Sequence, residues 1–323
     1  MTKDYLAEAG NVHLAYYVEA ADKLGIQYEI IVRSLMARFS DNGKHWFILN
    51  TALPVNNVPS TTISKRKNLA YKVLKVGGIP VAEQREINNE EEAIDFWKEF
   101  GNIVLKPVQN LGGNGVSLLP KSEHEVRHGF QTALATNLSS TNVKVLAEEF
   151  CTGTNYRILV CDDKVIGAVR RRAAYIVGDG SNTIEQLIIS TNQQRKDRLL
   201  KPIRLDKEVE KRLWANNLTL DSIPQRGEEV EVRLNSNQST GGTTEECLDE
   251  IDPYYLDLAI KATQVLGLKV GGVDLIAEDV TKQAPCVINE INYNPGLRVH
   301  YKADKGKIVD VATPIMQYIR ENI

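Results

Sequence analysis

The stretch "INEINYNPGLR" at 288–298 limits the fold more than any other part of the chain. Its apolar residues read as a strand buried in a sheet, yet Glu290 and Asn292 stand two apart within it. Alternate residues of a strand share a face, so both side chains point the same way. A buried carboxylate without a partner is costly, so this face needs a cation or a hydrogen-bonding neighbour. Upstream, "GGVDLI" puts Asp274 on a second apolar strand, joined to the first by a short turn-rich segment. If the two strands pair antiparallel, Asp274, Glu290 and Asn292 form a cluster of oxygen ligands. Mg2+ takes such a set, with its other positions filled by water and phosphate. For any single acid, a capped strand end or a surface ion pair is the competing explanation.

Elsewhere helical and strand patterns alternate, which predicts an α/β (α+β) protein with antiparallel pairing at its hairpins. A helix is expected over 12–25, stopping at Gly25, followed by strands at 28–32 and 45–50. The polar segment 55–68 reads as turn-prone and marks a boundary. Helices near 66–77 and from Glu90, a strand at 102–108, a helix near 122–137 and a strand at 143–150 come next. The remainder opens with the hairpin-like "YRILVCDDKVIGAVR" and holds a polar helical stretch near 182–216. The two acid-bearing strands and a C-terminal helix complete it. The expected division is 1–60 as a short N-terminal α/β region, 61–149 as a unit with a glycine-rich loop, and 150–323 as the unit with the cation cluster.

Composition excludes several classes. The 323 residues carry 39 Lys and Arg against 42 Asp and Glu, so there is no basic excess to attract nucleic acid. No apolar run is long enough to span a membrane, and "MTKDYLAEAG" is not a secretory leader. Cys151, Cys161, Cys247 and Cys286 are scattered, without a C-x-x-C pair, which favours reduced thiols and a cytoplasmic location. A homodimer is a candidate assembly.

The second chemical signal is "VLKPVQNLGGNGV", with Lys106 on a strand and Gly112, Gly113 and Gly115 in the loop behind it. Glycines let backbone N–H groups approach phosphate oxygens, and a fixed lysine neutralises their charge. Alone, the pattern is weak and is more often that of a β-turn beside one exposed lysine. Neither a Walker G-x-x-x-x-G-K-[ST] nor a G-x-G-x-x-G fingerprint is present.

Taken with "KVLKVGGIPV", "YRILV", "VGDGSNTIEQL", "LTLDSIP", "RLNSNQSTGGT", "GVDLI" and "NEINYNPGLRVH" in this order, the chain resembles the ATP-grasp superfamily from about residue 60 to 305. More closely it resembles the ligase module of cyanophycin synthetases; bifunctional glutathione synthetases carry a related module. The resemblance implies an ATP-grasp fold and a carboxylate–amine ligase that uses ATP and Mg2+ (or Mn2+). Its substrates would be a small-molecule carboxylate, such as an amino acid or small peptide, and an amine. It implies phosphate contacts from Lys67 and Lys106, and a closing loop at Gly112, Gly113 and Gly115. Glu148, Glu149 and Phe150 would recognise adenine, and Asn155 falls where many relatives place an acid for the ribose. Arg171 and Arg298 would lie near the transferred phosphate and the acyl phosphate. Asp274, Glu290 and Asn292 would hold magnesium. Asn235, Asn237, Ser239, Thr240, Gly241 and Gly242 would lie beside the acceptor.

The sequence departs from cyanophycin synthetases in ending at Ile323, without their second ligase domain, so a small amide and not a branched polymer is the expected product. An ATP-grasp small-molecule kinase and a non-catalytic nucleotide-binding homologue are the alternatives. His13, His45, His124 and His128 read as structural or exposed, whereas His300 beside Arg298 is a candidate substrate contact. Apart from Arg171, the arginine run 170–172 reads equally as a solvated strand edge.

Overall fold

The computed structural model describes residues 3–109, 114–138, 145–198, 200–234 and 240–323. The chain opens with helices α1 (Tyr5–Ala9) and α2 (Val12–Leu24). Asn11 caps α2 by accepting from the Leu14 N–H, and Gly25 ends it in the left-handed conformation. An antiparallel meander follows: β1 (Gln27–Val32), β2 (Met36–Asp41) and β3 (Lys44–Leu49). The sequence reading omitted β2. Its signals are the inward pair Ala37 and Phe39, and the Asn42-Gly43 turn, where both residues take positive φ (48° and 80°) as a two-residue hairpin requires.

Helices α3 (Val58–Lys65) and α4 (Lys67–Val76) come next. Helix α3 lies where a turn-prone boundary was expected. It has no apolar stripe, because the residues it buries are Ser60 and Ser64. Their hydroxyls donate to the Gly267 and Ile291 carbonyls instead. Asn57 caps the helix on the Ser60 N–H.

The next sheet, in the order β4-β7-β5-β6, comprises β4 (Gln84–Ile87), β5 (Ile103–Pro107), β6 (Ser117–Leu118) and β7 (Val145–Glu149). One face packs Ile87, Ile103, Leu105, Val145 and Ala147 against α5 (Glu90–Phe100) and α6 (Glu123–Thr136). The opposite face carries Lys106 and Glu148.

The largest sheet holds the acid-bearing strands. It includes β8 (Thr154–Cys161) and β9 (Lys164–Arg172), joined as the expected hairpin. Between this hairpin and the remaining strands sits a small unit of β10 (Tyr175–Val177), α7 (Ile184–Asp197), α8 (Lys207–Ala215) and β11 (Glu229–Glu231). The expected single helical stretch is two helices, because Pro202 in the intervening segment lacks the N–H a helix interior needs. The sheet continues with β12 (Thr243–Glu246), and after α9 (Pro253–Val265) with β13 (Val270–Ala277) and β14 (Cys286–Asn292). Its order is β12-β9-β8-β13-β14, antiparallel throughout. Helix α9 covers one face through Tyr255, Ala259 and Ala262. On the other face, short α10 (Arg298–Tyr301) packs against β9, and α11 (Ala312–Asn322) joins α2 in a core with Leu159 and Val270.

Asn56 ties these parts together. Its Nδ2 donates to the Val270 and Tyr293 carbonyls (2.8 and 2.9 Å), and its Oδ1 accepts from the Lys269 and Val270 N–H groups (2.8 and 3.1 Å). Asn56→Ala strands these part-buried backbone groups and is expected to destabilise the protein by about 1–3 kcal/mol. Urea unfolding measures this; an unchanged midpoint would show that water replaces the amide at no cost.

Candidate active site

Three residues stand in one rung across β8, β13 and β14. Asp274 lies opposite Arg157 on one side and opposite Glu290 on the other. Arg157 grips Asp274 with a two-pronged contact, Nε to Oδ1 at 2.5 Å and Nη2 to Oδ2 at 2.9 Å. From β9, the Arg171 Nη1 donates to the same Oδ1 at 3.3 Å. Asn292 donates from Nδ2 to Asp274 Oδ2 at 3.4 Å. The pairing thus brings Asp274, Glu290 and Asn292 together, as the antiparallel arrangement requires. After Asp274 the register shifts by one residue at Asn289, which keeps Glu290 in the rung.

Burial alone would push the Asp274 carboxyl up, but the Arg157 and Arg171 guanidiniums outweigh it and hold the group below the usual carboxylate range. Burial and repulsion from Arg157 lower the pKa of Arg171. Glu290 is half-buried, and no hydrogen bond or ion pair commits it to another described side chain. Among the described residues, no three His, Cys, Asp or Glu side chains cluster as a metal site. The set holds two carboxylates and an amide, hard oxygens that suit a divalent cation sharing its shell with phosphate. Glu290 is the uncommitted carboxylate, whereas both Asp274 oxygens are engaged by Arg157, Arg171 and Asn292.

The rung needs Gly272, one step along β13. A Cβ there would lie 2.8 Å from Pro295 Cβ and 3.1 Å from Arg157 Cδ. The missing side chain lets the Asn-Pro-Gly loop close over the sheet while Arg157 reaches Asp274.

Facing the rung is the polar side of the β4-β7-β5-β6 sheet. Lys106 Nζ meets the Glu148 carboxylate at 2.5 Å, and Gln84 Nε2 donates to the same oxygen at 2.9 Å. With Lys67, the first residue of α4, they line a cleft of about 30 Å³ that Glu290 closes from the other side. Glu149 and Phe150 continue from this strand, their N–H groups bonded to the Glu83 and Asn102 carbonyls. Asn155 lies opposite Arg171 on the hairpin.

Gly112, Gly113, Asn235, Asn237 and Ser239 lie outside the described residues. Gly115 has φ +74°, and a Cβ there would meet Thr136 Oγ1 at 1.8 Å, so only glycine fits. Thr240, Gly241 and Gly242 lead directly into β12, whose Thr244 lies opposite Arg171. Gly241, at φ +101°, backs onto Ile203, and the Gly242 carbonyl accepts from Arg195 Nη2 at 3.2 Å. Arg298 begins α10, with His300 two residues on, against Gly167.

Arg157 was not singled out in the sequence. Its signal is an arginine inside the apolar strand "YRILV", which needs an acid opposite. The arginine run is not at a sheet edge, since β9 lies between β12 and β8. Arg170 pairs with Glu245 and Glu250, and Arg172 with Glu229.

His300 is 1% exposed, and burial together with Arg157 and Arg171 pushes its pKa down to about 3. The unfolded chain protonates this imidazole near 6.5, so between these values the unfolded state holds the extra proton. Folding stability therefore falls as pH drops from about 6.5 towards 3, with a slope approaching about 1.4 kcal/mol per pH unit. Asp274 acts in a lower window: its carboxyl is depressed, so its stabilisation is lost only as pH falls through that lowered value. His300→Leu should flatten the stability curve between about pH 6 and 4 in urea titrations; parallel curves would assign the slope elsewhere.

Residues 80–206 match the family model described as prokaryotic glutathione synthetase, ATP-grasp domain, and residues 213–319 match that of a RimK-like ATP-grasp domain. The cyanophycin synthetase of Trichormus variabilis is 28% identical over 94% of this chain and 34% of its own length. The glutathione biosynthesis bifunctional protein of Listeria innocua is 33% identical over 88% of this chain and 38% of its own. The chain thus spans about a third of the length of these relatives. The crystal structure of a bifunctional glutathione synthetase from Pasteurella multocida superposes with a TM-score of 0.72 at 25% identity, covering 98% of this chain and 45% of that one. The first family model takes in the Lys106 sheet and the Arg157–Arg171 hairpin, and the second takes in the Asp274–Glu290 pair. The site is built across both, and the chain belongs to the ATP-grasp superfamily.

Proposed function

We propose that this protein is an ATP-dependent carboxylate–amine ligase acting on amino-acid or small-peptide substrates. The observation that carries the reading is the rung of Arg157, Asp274 and Glu290, with Arg171 beside it, whose Glu290 lines the Lys67–Lys106 cleft. Two arginines and two carboxylates cancel there, Glu148 offsets Lys106, and Lys67 leaves positive charge opposite Glu290, so the cleft favours a cation together with a polyphosphate. Relatives named as a cyanophycin synthetase and as glutathione biosynthesis proteins support amide formation on such substrates.

In this reading Lys67 and Lys106 hold the nucleotide phosphates, with Gly112, Gly113 and Gly115 closing over them. Glu148, Glu149, Phe150 and Asn155 hold the nucleoside. Asp274, Glu290 and Asn292 would hold Mg2+ or Mn2+, which supplies charge neutralisation at the phosphates when bound. Arg171 and Arg298 orient the acid so that its carboxylate oxygen meets the terminal phosphorus, and ADP leaves. Thr240, Gly241 and Gly242, with Asn235, Asn237 and Ser239, place the amine, whose nitrogen takes the acyl carbon as phosphate departs. Ligand sites are usually hundreds of Å³, so a cleft of about 30 Å³ must widen for ATP. The division near residues 60 and 149 belongs to the same proposal, with 61–149 as the unit that moves. Four free cysteines fit a cytoplasmic setting.

Reactions with paired amino acids and short peptides, ATP and Mg2+ should release ADP and phosphate and yield one amide per ATP, read by mass spectrometry. ADP with a phosphorylated product and no amide would assign a kinase; no nucleotide turnover with any pair would leave a binding protein. Glu290→Gln should abolish turnover while keeping the fold, and near wild-type phosphate release would remove Glu290 from the cation site.

The Lys106–Glu148 pair is buried, so Lys106→Met alone strands a carboxylate and should cost about 3–5 kcal/mol of stability. Lys106→Met with Glu148→Gln should restore stability and still bind a non-hydrolysable ATP analogue about tenfold or more weakly in calorimetry. Full affinity in the stable double variant would exclude Lys106 as a phosphate contact.

A further inference from the structure

Helix α2 brings two side chains to the candidate site that the sequence reading set aside or passed over. His13 lies in its first turn and Tyr16 follows one turn later. Their rings meet edge to face with centroids 6.4 Å apart. The Tyr16 ring is stacked on Tyr301 of α10, with centroids 3.9 Å apart and planes 10° apart. Tyr301 is itself fixed, its hydroxyl donating to Asp310 Oδ1 at 2.6 Å and accepting from the Ala312 N–H at 3.1 Å. The Asn-Pro-Gly loop closes the other side. A Cβ at Gly296 would lie 3.2 Å from His13 Cε1, so glycine lets the loop rest against the imidazole.

Both residues carry polar atoms with no hydrogen-bond partner: His13 Nδ1 and the Tyr16 hydroxyl. Tyr16 is only 9% exposed, and an unmade hydrogen bond at such a site is expensive. Arg298, two residues beyond Gly296 and three before Tyr301, is the charged group that acts electrostatically on both. Burial lowers the His13 pKa and Arg298 lowers it further, while burial raises Tyr16 against the pull of Arg298. At neutral pH this leaves a neutral imidazole and a phenol beside a guanidinium. All three flank the loop that follows the Glu290 strand, and an imidazole, a phenol and a guanidinium can each donate a hydrogen bond. A carboxylate is the group such a set recognises, since it accepts several hydrogen bonds and carries the charge opposite to a guanidinium. Tyr17 makes a useful contrast. Its hydroxyl is also unpartnered, but it is wholly buried in the core and faces Cys161.

We propose that His13 and Tyr16 of α2, with Arg298, form the subsite that binds the carboxylate of the acid substrate. The N-terminal helix then selects the acid, and the rest of the chain handles nucleotide and amine. This rests on the ligase reading above. Hydroxylamine in place of the amine separates the two claims, because it traps an activated acid as its hydroxamate whatever the natural acceptor is.

Wild type, Tyr16→Phe, His13→Gln and Tyr17→Phe would be run with ATP, Mg2+, hydroxylamine and a panel of amino acids and dipeptides. For the acids that give hydroxamate, Tyr16→Phe and His13→Gln should each raise the acid KM about tenfold or more, as expected for a lost hydrogen bond to a charged group. The KM for ATP should stay unchanged, and Tyr17→Phe should match wild type in every KM. Tyr16→Phe should keep its Tm, since the hydroxyl it removes has no partner in the fold. Unchanged acid KM in both α2 variants, or a rise in the hydroxylamine KM instead, would overturn the subsite while leaving the ligase intact. ADP release without hydroxamate from any acid in wild type would overturn the ligase reading, and this subsite with it.

Discussion

The grip of Arg157 on Asp274 is the contact on which the rest of the site depends. Both groups are buried between β8 and β13, where neither charge is tolerable alone. Their two-pronged geometry sets the side-chain rotamers in the rung and so fixes where Glu290 and Asn292 stand. It also explains Gly272, because any side chain there would displace Arg157 or lift Pro295 and the loop behind it. The loop carries Arg298 and leads into α10, so the position of that arginine is inherited from the packing of one glycine.

A second buried pair, Lys106 with Glu148, plays the matching part on the opposite sheet. The Lys106–Glu148 pair lines a cleft with Lys67, and Glu290, the rung neighbour of Asp274, closes it from the other sheet. Each pair keeps a charged side chain extended and ordered without a ligand, which limits the reorganisation needed when a polyphosphate arrives. The sheet bearing Lys106 has a core of its own, centred on Phe96 and Phe130. The Asp274 rung lies in a different sheet, outside that core.

Most regular elements were legible because their apolar periodicity is strong, as in α2, β5 and the β8–β9 hairpin. The failures share a cause. Helix α3 buries serines that bond to distant carbonyls, so its sequence looks like a loop. Strand β2 is short and half-polar, and it is defined by its neighbours on both sides. Arg157 looked like an ordinary strand residue because its partner lies 117 positions away. His13 read as a bland histidine, since the residues that make it a candidate, Gly296 and Arg298, come from the other end of the chain.

Sequence alone determined that Glu290, Asn292 and Asp274 are strand residues able to share a face, because side-chain alternation is a local property of extended backbone. It also determined that Lys106 precedes a glycine loop, and that the ordered motifs resemble the ATP-grasp superfamily. Only the tertiary structure decided which arginine neutralises Asp274, that Glu148 holds Lys106, and that α2 leans on the Asn-Pro-Gly loop. Those facts depend on strand order and helix packing, which bring together groups separated by long stretches of chain. No local pattern encodes such distances; the burial of charge and the packing of the cores select them.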